Sequence, residues 1–132
     1  MAYADMTSGA LAYLQAQMAG WTDLPVFIGT MPPGNGVALL PSAGRLQRDM
    51  TGGGVYRMTA ALNARHTDQQ AAIAALDRLH YEINRMPARQ SGDGWQLTGA
   101  ITETAPSLIG RDEDGAWLYG STIYIQLFDW RE

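Results

Sequence analysis

Ala105-Pro106-Ser107-Leu108-Ile109-Gly110-Arg111-Asp112-Glu113-Asp114-Gly115-Ala116-Trp117-Leu118-Tyr119, running on into Ile123-Tyr124-Ile125-Gln126-Leu127-Phe128, joins an acidic turn to a long final strand. Asp114-Gly115 is a favoured tight-hairpin pair because both residues tolerate positive φ. After the turn, Ile123, Ile125 and Leu127 alternate with Tyr124, Gln126 and Phe128, the period of a strand. Before it, Trp95, Leu97, Gly99 and Ile101 alternate against Gln96, Thr98 and Thr102, which predicts a second long strand. The C-terminal strand, Ala116 to Phe128, reads as the longest.

Upstream, residues 55–66 alternate as well. Tyr56, Met58, Ala60, Leu62 and Ala64 point one way, and Arg57, Thr59, Asn63 and Arg65 the other. Thr67-Asp68-Gln69-Gln70 then has the capping-box form, with Thr67 as the cap and Gln70 reaching back. The helix it opens carries Ala72, Ile73, Leu76, Leu79, His80 and Ile83 at helical spacing, and Pro87 places its end near Arg85. At the N-terminus, Leu11, Leu14 and Met18 mark an amphipathic helix with Gly20 after its end. Two short apolar runs, 24–29 and 36–41, flank the rigid Met31-Pro32-Pro33-Gly34-Asn35 loop and read as strands. Residues 42–54 are polar and glycine-rich and read as the mobile loop, and 88–94 as a polar linker. The fold class is α+β: a single mixed, mainly antiparallel sheet with two helices packed on one face, in the order α-β-β-β-α-β-β.

Composition narrows the function. The 132 residues suffice for one domain, 1–132, with one core. No run of about 18 apolar residues is present to cross a bilayer, and the first residues lack the basic and apolar regions of a secretory signal. A soluble protein made in the cell is the expectation. Cysteine is absent, which removes disulfides and thiolate chemistry. The net charge of -4, with nine arginines dispersed and no lysine, gives no basic stripe for nucleic acid.

No residue cluster specifies a reaction. Gly52-Gly53-Gly54 lacks the Lys-Ser/Thr pair of a phosphate loop, and a strand follows it instead of a helix. Asp112-Glu113-Asp114-Gly115 lacks the alternating oxygen ligands of a calcium loop, since the twelfth position is Ile123. His66 and His80 are not spaced as helical zinc ligands, and His80 reads as a satisfied structural imidazole. No Gly-x-Ser-x-Gly elbow accompanies the serines. Trp95, Trp117, Trp130, Tyr119 and Tyr124 read as core or subunit interface. No catalytic residue, cofactor or metal is expected.

The segment from Pro106 to Gly120 and the strand after it, with the order of elements along the chain, resembles the small minor capsid proteins, or tail terminators, of long-tailed (siphovirus-like) phages and prophages. The resemblance implies a structural virion protein, made in the bacterial cytoplasm and placed at the tail-head junction. It implies a homohexameric ring, with a monomer before assembly as the alternative free state, that caps the tail tube, ends its polymerisation and contacts both the tail tube protein and the head-completion connector. No membrane or sequence-specific nucleic acid enters that role. The alternatives are a head-completion (neck) protein and, further off, a small hydrolase. For the ring contact, Arg45, Arg48 and Arg57 are expected to meet Asp112, Glu113 and Asp114 of a neighbour, because loop arginines and an exposed acidic tip suit a heterologous contact.

Overall fold

A computed structural model of the chain describes residues 3–41, 45–48, 54–86, 91–92 and 95–129. Helix α1 spans Tyr3–Ala19, strand β1 Val26–Ile28, β2 Gly36–Pro41, β3 Arg45–Arg48 and β4 Gly54–His66. Helix α2 spans Gln69–Arg85, followed by β5 Ser91–Gly92, β6 Trp95–Arg111 and β7 Trp117–Asp129. The strands form one sheet in the order β1-β2-β4-β7-β6-β5, with β3 also beside β4. Among the described residues β1 and β2 run parallel and the other strand pairs antiparallel. The α+β class and the expected element order hold, and β3 and β5 add two short strands in segments read as loop and linker.

Alternation builds the core. Along β4 and β7 the register pairs Met58 with Ile125, Ala60 with Ile123, Leu62 with Ser121 and Ala64 with Tyr119, all on one face. Both helices cover that face. Leu11, Leu14 and Met18 of α1 and Ala72, Leu76, Leu79 and Ile83 of α2 join the apolar residues of those pairs in one buried cluster. Each fully buried Leu, Ile or Met side chain contributes about 1.5–3 kcal/mol relative to exposure, so the packing of both helices on the sheet is what holds the fold.

Local chemistry corrects several expectations. The cap of α2 is Asp68, one residue after Thr67: its Oδ1 accepts from the Gln70 amide at 3.2 Å. Thr67 instead gives its amide to Asn35 Oδ1. Helix α2 ends at Arg85 as expected, with the Met86 amide bonded to the Ile83 carbonyl. Helix α1 begins at Tyr3, well before Leu11, the first of its expected apolar positions.

Strand β6, at 17 residues, is longer than β7 at 13, because its pairing with β7 tolerates four register shifts. The first, between Leu97 and Gly99, breaks the alternation: Trp95, Leu97 and Ala100 are buried, while Ile101 is turned outward and 56% exposed. One extra residue in a strand sends every later side chain to the opposite face.

Candidate interaction surface

The face of the sheet away from the helices is lined by polar and half-buried residues that bond one another. Arg57 Nε donates to Gln126 Oε1 at 3.2 Å, and Thr98 Oγ1 donates to the Gln126 carbonyl. Thr104 and Thr122 hydroxyls meet at 2.7 Å, and Thr122 donates to Glu103 Oε1. On this face a hollow of about 220 Å³ lies over Gly99, bounded by Ala100, Ile101, Tyr124 and Gln126.

At one end of the sheet stands the β6–β7 hairpin. Its loop closes through the Gly115 amide bonded to the Asp112 carbonyl and the Asp112 amide bonded to the Ala116 carbonyl. Gly115 has φ +83°, while Asp114 keeps a negative φ. This is a turn followed by one left-handed residue, the three-residue hairpin loop, and not the two-residue type in which both residues have positive φ. Asp112 organises it: its Oδ1 accepts from the amides of Asp114 (3.0 Å) and Ala116 (2.8 Å). Arg111 clasps the Gly115 carbonyl through Nε and Nη2, and its guanidinium lies 4.4 Å over the Trp117 ring.

The six residues expected at the interface divide into two groups. Arg45 and Arg48 lie on β3, in register with Arg57 and Gly54 of β4. Arg57 therefore shares their end of the sheet. Asp112, Glu113 and Asp114 lie at the other end, where Trp117 pairs with His66. The stretch of β4 from Arg57 to His66 separates the groups by about 30 Å at roughly 3.3 Å per residue. Within one subunit they do not meet. Glu113 and Asp114 are exposed, whereas Asp112 is part-buried inside its turn.

Arg65 was not singled out by sequence. Its guanidinium bonds the carbonyls of Pro32 and Gly34 (2.7 Å to the latter) and lies 4.0 Å from Asp112 Oδ2. It ties the Pro-Pro-Gly loop to the hairpin end. The signal available was an arginine at a strand end following an exposed-face alternation, and that is too common to mark a role.

His80 is 6% exposed and hydrogen-bonded at both ring nitrogens, to Thr102 Oγ1 and Ser121 Oγ at 2.6 Å each. Ser121 donates its hydroxyl hydrogen to the Leu62 carbonyl, so His80 Nε2 carries the proton and Nδ1 accepts from Thr102. Asn84 Nδ2 donates to the same Thr102 hydroxyl, and Asn84 Oδ1 accepts the Thr102 amide on the outer edge of β6. The serine hydrogen points away from the imidazole, which leaves this pair unarranged for nucleophilic attack.

Burial pushes the His80 pKa below 6.5, against a smaller opposing pull from Asp77. The unfolded chain therefore takes up this proton at a higher pH than the folded one does. Stability from this group is fully present above about 6.5 and is lost as pH falls below it, toward the folded-state value. The expected result is a melting temperature that declines on acidification below pH 6.5, with a shallower decline in His80→Gln. Equal slopes would refute it.

Among the described residues, no cluster of three or more His, Cys, Asp or Glu is arranged to hold a metal ion, and no helix is long and apolar enough to cross a membrane. Trp95 and Tyr119 are buried in the core, Trp117 and Tyr124 are half-buried, and Trp130 lies outside the described residues.

A family model described as bacteriophage tail terminator protein matches residues 5–128. No curated protein matches. Among solved structures, a chain from the virion of a native gene transfer agent particle is similar over 86% of this chain and 84% of its own, with a TM-score of 0.58 and 16% identity. That likeness is one of fold.

Proposed function

The chain belongs to the bacteriophage tail terminator family, and on that footing we propose that it closes as a ring of six copies on the last layer of the tail tube, stops tube growth and offers its other surface to the head connector. Membership makes it a structural protein of the virion. The observation that carries the reading is the family match, which runs through nearly the whole chain and supports treating 1–132 as one domain. The bonding of His80 favours assembly over catalysis, since both its nitrogens are committed to structural partners.

Two separated groups of opposite charge, the arginines of one end and the exposed carboxylates of the other, suit such a ring. A cyclic contact is heterologous: each subunit presents two different patches, one to each neighbour. Arg45, Arg48 and Arg57 at one end and Glu113 and Asp114 at the other are separated enough to be used at once. Asp112 supports the second patch from within the turn.

Disruption of the gene tests the role. Overlong tails are the expected outcome, whereas finished heads lacking attached tails would transfer the protein to the neck. Reversal of charge at Arg48 with folding intact is expected to weaken assembly; unchanged tail length and attachment would remove Arg48 from the contact.

A further inference from the structure

Three of the exposed large apolar side chains in the described residues lie on β6: Ile101, Leu108 and Ile109. Ile109 lies across the uncovered face of the sheet. Its Cδ1 occupies the space left by Gly120, where an added Cβ would stand 2.6 Å away, and a Cβ there would also crowd Asn63 Oδ1. The contact fixes the direction of Ile109, yet 60% of the residue remains exposed. It is a held apolar knob beside the acidic tip.

The same face carries a matching feature at its other end. The hollow of about 220 Å³ has Gly99 as its floor, and a Cβ built there meets nothing within 4 Å. Its walls are Ala100, the outward-turned Ile101, and Tyr124. Gln126, on its border, accepts from Arg57. The hollow is thus apolar inside and bordered by Gln126 and, through it, Arg57.

We propose that Ile109 of one copy seats in the hollow over Gly99 of the next, with Glu113 and Asp114 of the first copy beside Arg57 of the second. This rests on the ring reading and gives that ring its contact. Charge complementarity selects a second copy as the occupant: the exposed carboxylates of Glu113 and Asp114 accompany the knob, the cations of that end, Arg65 and Arg111, being held within the subunit, and Arg57 stands beside the hollow. An apolar contact flanked by opposite charges has the arrangement of an interface core with a polar rim. The knob cannot fill its own subunit's hollow, because about ten residues of β6, roughly 30 Å of strand, lie between them. Knob and hollow do not overlap, so one copy is able to engage two different neighbours, the heterologous use that a ring needs, whereas two copies seated reciprocally would stop at a dimer.

The cysteine-free chain permits a direct test. Gly99→Cys and Ile109→Cys are introduced together, and oxidation is followed in purified full-length protein and on tails that it caps. A disulfide needs Cα atoms within about 7 Å, so bridging between these positions joins different copies. The expected result is a ladder of covalent multimers ending at the ring size, with dimers at most from either single variant. In parallel, Gly99→Leu places a side chain in the hollow, starting from a Cβ that meets nothing within 4 Å. It should keep the wild-type melting temperature and lose the ring by native mass spectrometry and on tail ends. Rings or capped tails without a ladder, and with Gly99→Leu still assembling, would overturn this contact while leaving the ring in place. Absence of any ring from the unaltered protein, in solution and on tails, would overturn the ring reading and this contact with it.

Discussion

Replacing Trp95 by alanine is expected to lower the stability of the protein by about 3–5 kcal/mol, the range for removing a large aromatic side chain from a core. Trp95 opens β6 and is 5% exposed. Its ring fills the angle between the sheet and α1 so closely that a Cβ at Gly9 would lie 2.5 Å from its Cζ2. Removing the ring leaves a void between the two elements. For a chain of this length the melting temperature should fall by roughly 10 °C or more. The complementary substitution separates packing from propensity. Gly9→Ala in a helix is worth up to about 1 kcal/mol by propensity alone, but forcing a methyl against Trp95 costs about 1–3 kcal/mol. Gly9→Ala should therefore destabilise the wild type and stabilise Trp95→Phe, whose ring lacks the Cζ2 atom. Thermal melts of the four proteins give the coupling, and additive effects would show that Gly9 and Trp95 do not constrain one another.

The sequence made the β4 and β7 strands and the α2 helix readable because their burial follows a fixed period. Met58, Ala60, Leu62 and Ala64 alternate without interruption, and Leu76, Leu79 and Ile83 keep helical spacing. Strand β6 was harder to read. Its alternation predicts Gly99 and Ile101 on the face of Trp95, but the register shift after Leu97 puts Ala100 inward. Whether a strand bulges depends on its partner, and β7 is not visible in the local text of β6. Strand β3 has a similar cause: Arg45-Leu46-Gln47-Arg48 has no apolar period of its own and becomes a strand by pairing with β4. At the start of α2, Thr67 and Asp68 are both competent caps, and the position of the Gln70 amide selects Asp68.

The surface was legible in its charges and obscure in its shape. An acidic tip and a group of arginines stand out in the sequence, but their placement at opposite ends of one sheet follows from antiparallel pairing over the full length of β4 and β7. Ile109 and Gly99 carry no chemical signal by themselves. One becomes a knob because Gly120, eleven residues on, offers it a seat, and the other becomes a floor because a bulge turns Ile101 beside it. Both depend on the register between strands, which no single-strand pattern encodes. Arg65 gains its role in the same way, from a loop some thirty residues earlier.

Asp112 provides the sharpest separation of turn chemistry from subunit contact. Asp112→Ala removes the acceptor for two amides, those of Asp114 and Ala116, and the carboxylate facing Arg65. Hydrogen bonds to a charged acceptor contribute about 1.5–3 kcal/mol, and the turn is largely open to water, so a loss of about 2 kcal/mol is expected. Asp112→Asn keeps an oxygen for both amides and gives up only the charge. At 4.0 Å and partly exposed, the pairing with Arg65 is worth at most about 1 kcal/mol, so the asparagine variant should melt close to the wild type. Assembly should follow the same division. With asparagine the hairpin keeps its shape, Ile109 stays aimed and rings form; with alanine the tip loosens and ring formation weakens beyond what the melting shift alone would produce. Charge reversal at Glu113 or Asp114, whose carboxylates are not used in closing the turn, should weaken rings while sparing stability. Native mass spectrometry beside thermal melts reads both quantities. If Asp112→Asn abolished the ring at unchanged melting temperature, the charge of Asp112 would itself belong to the contact, and its role would not be one of support from within the turn.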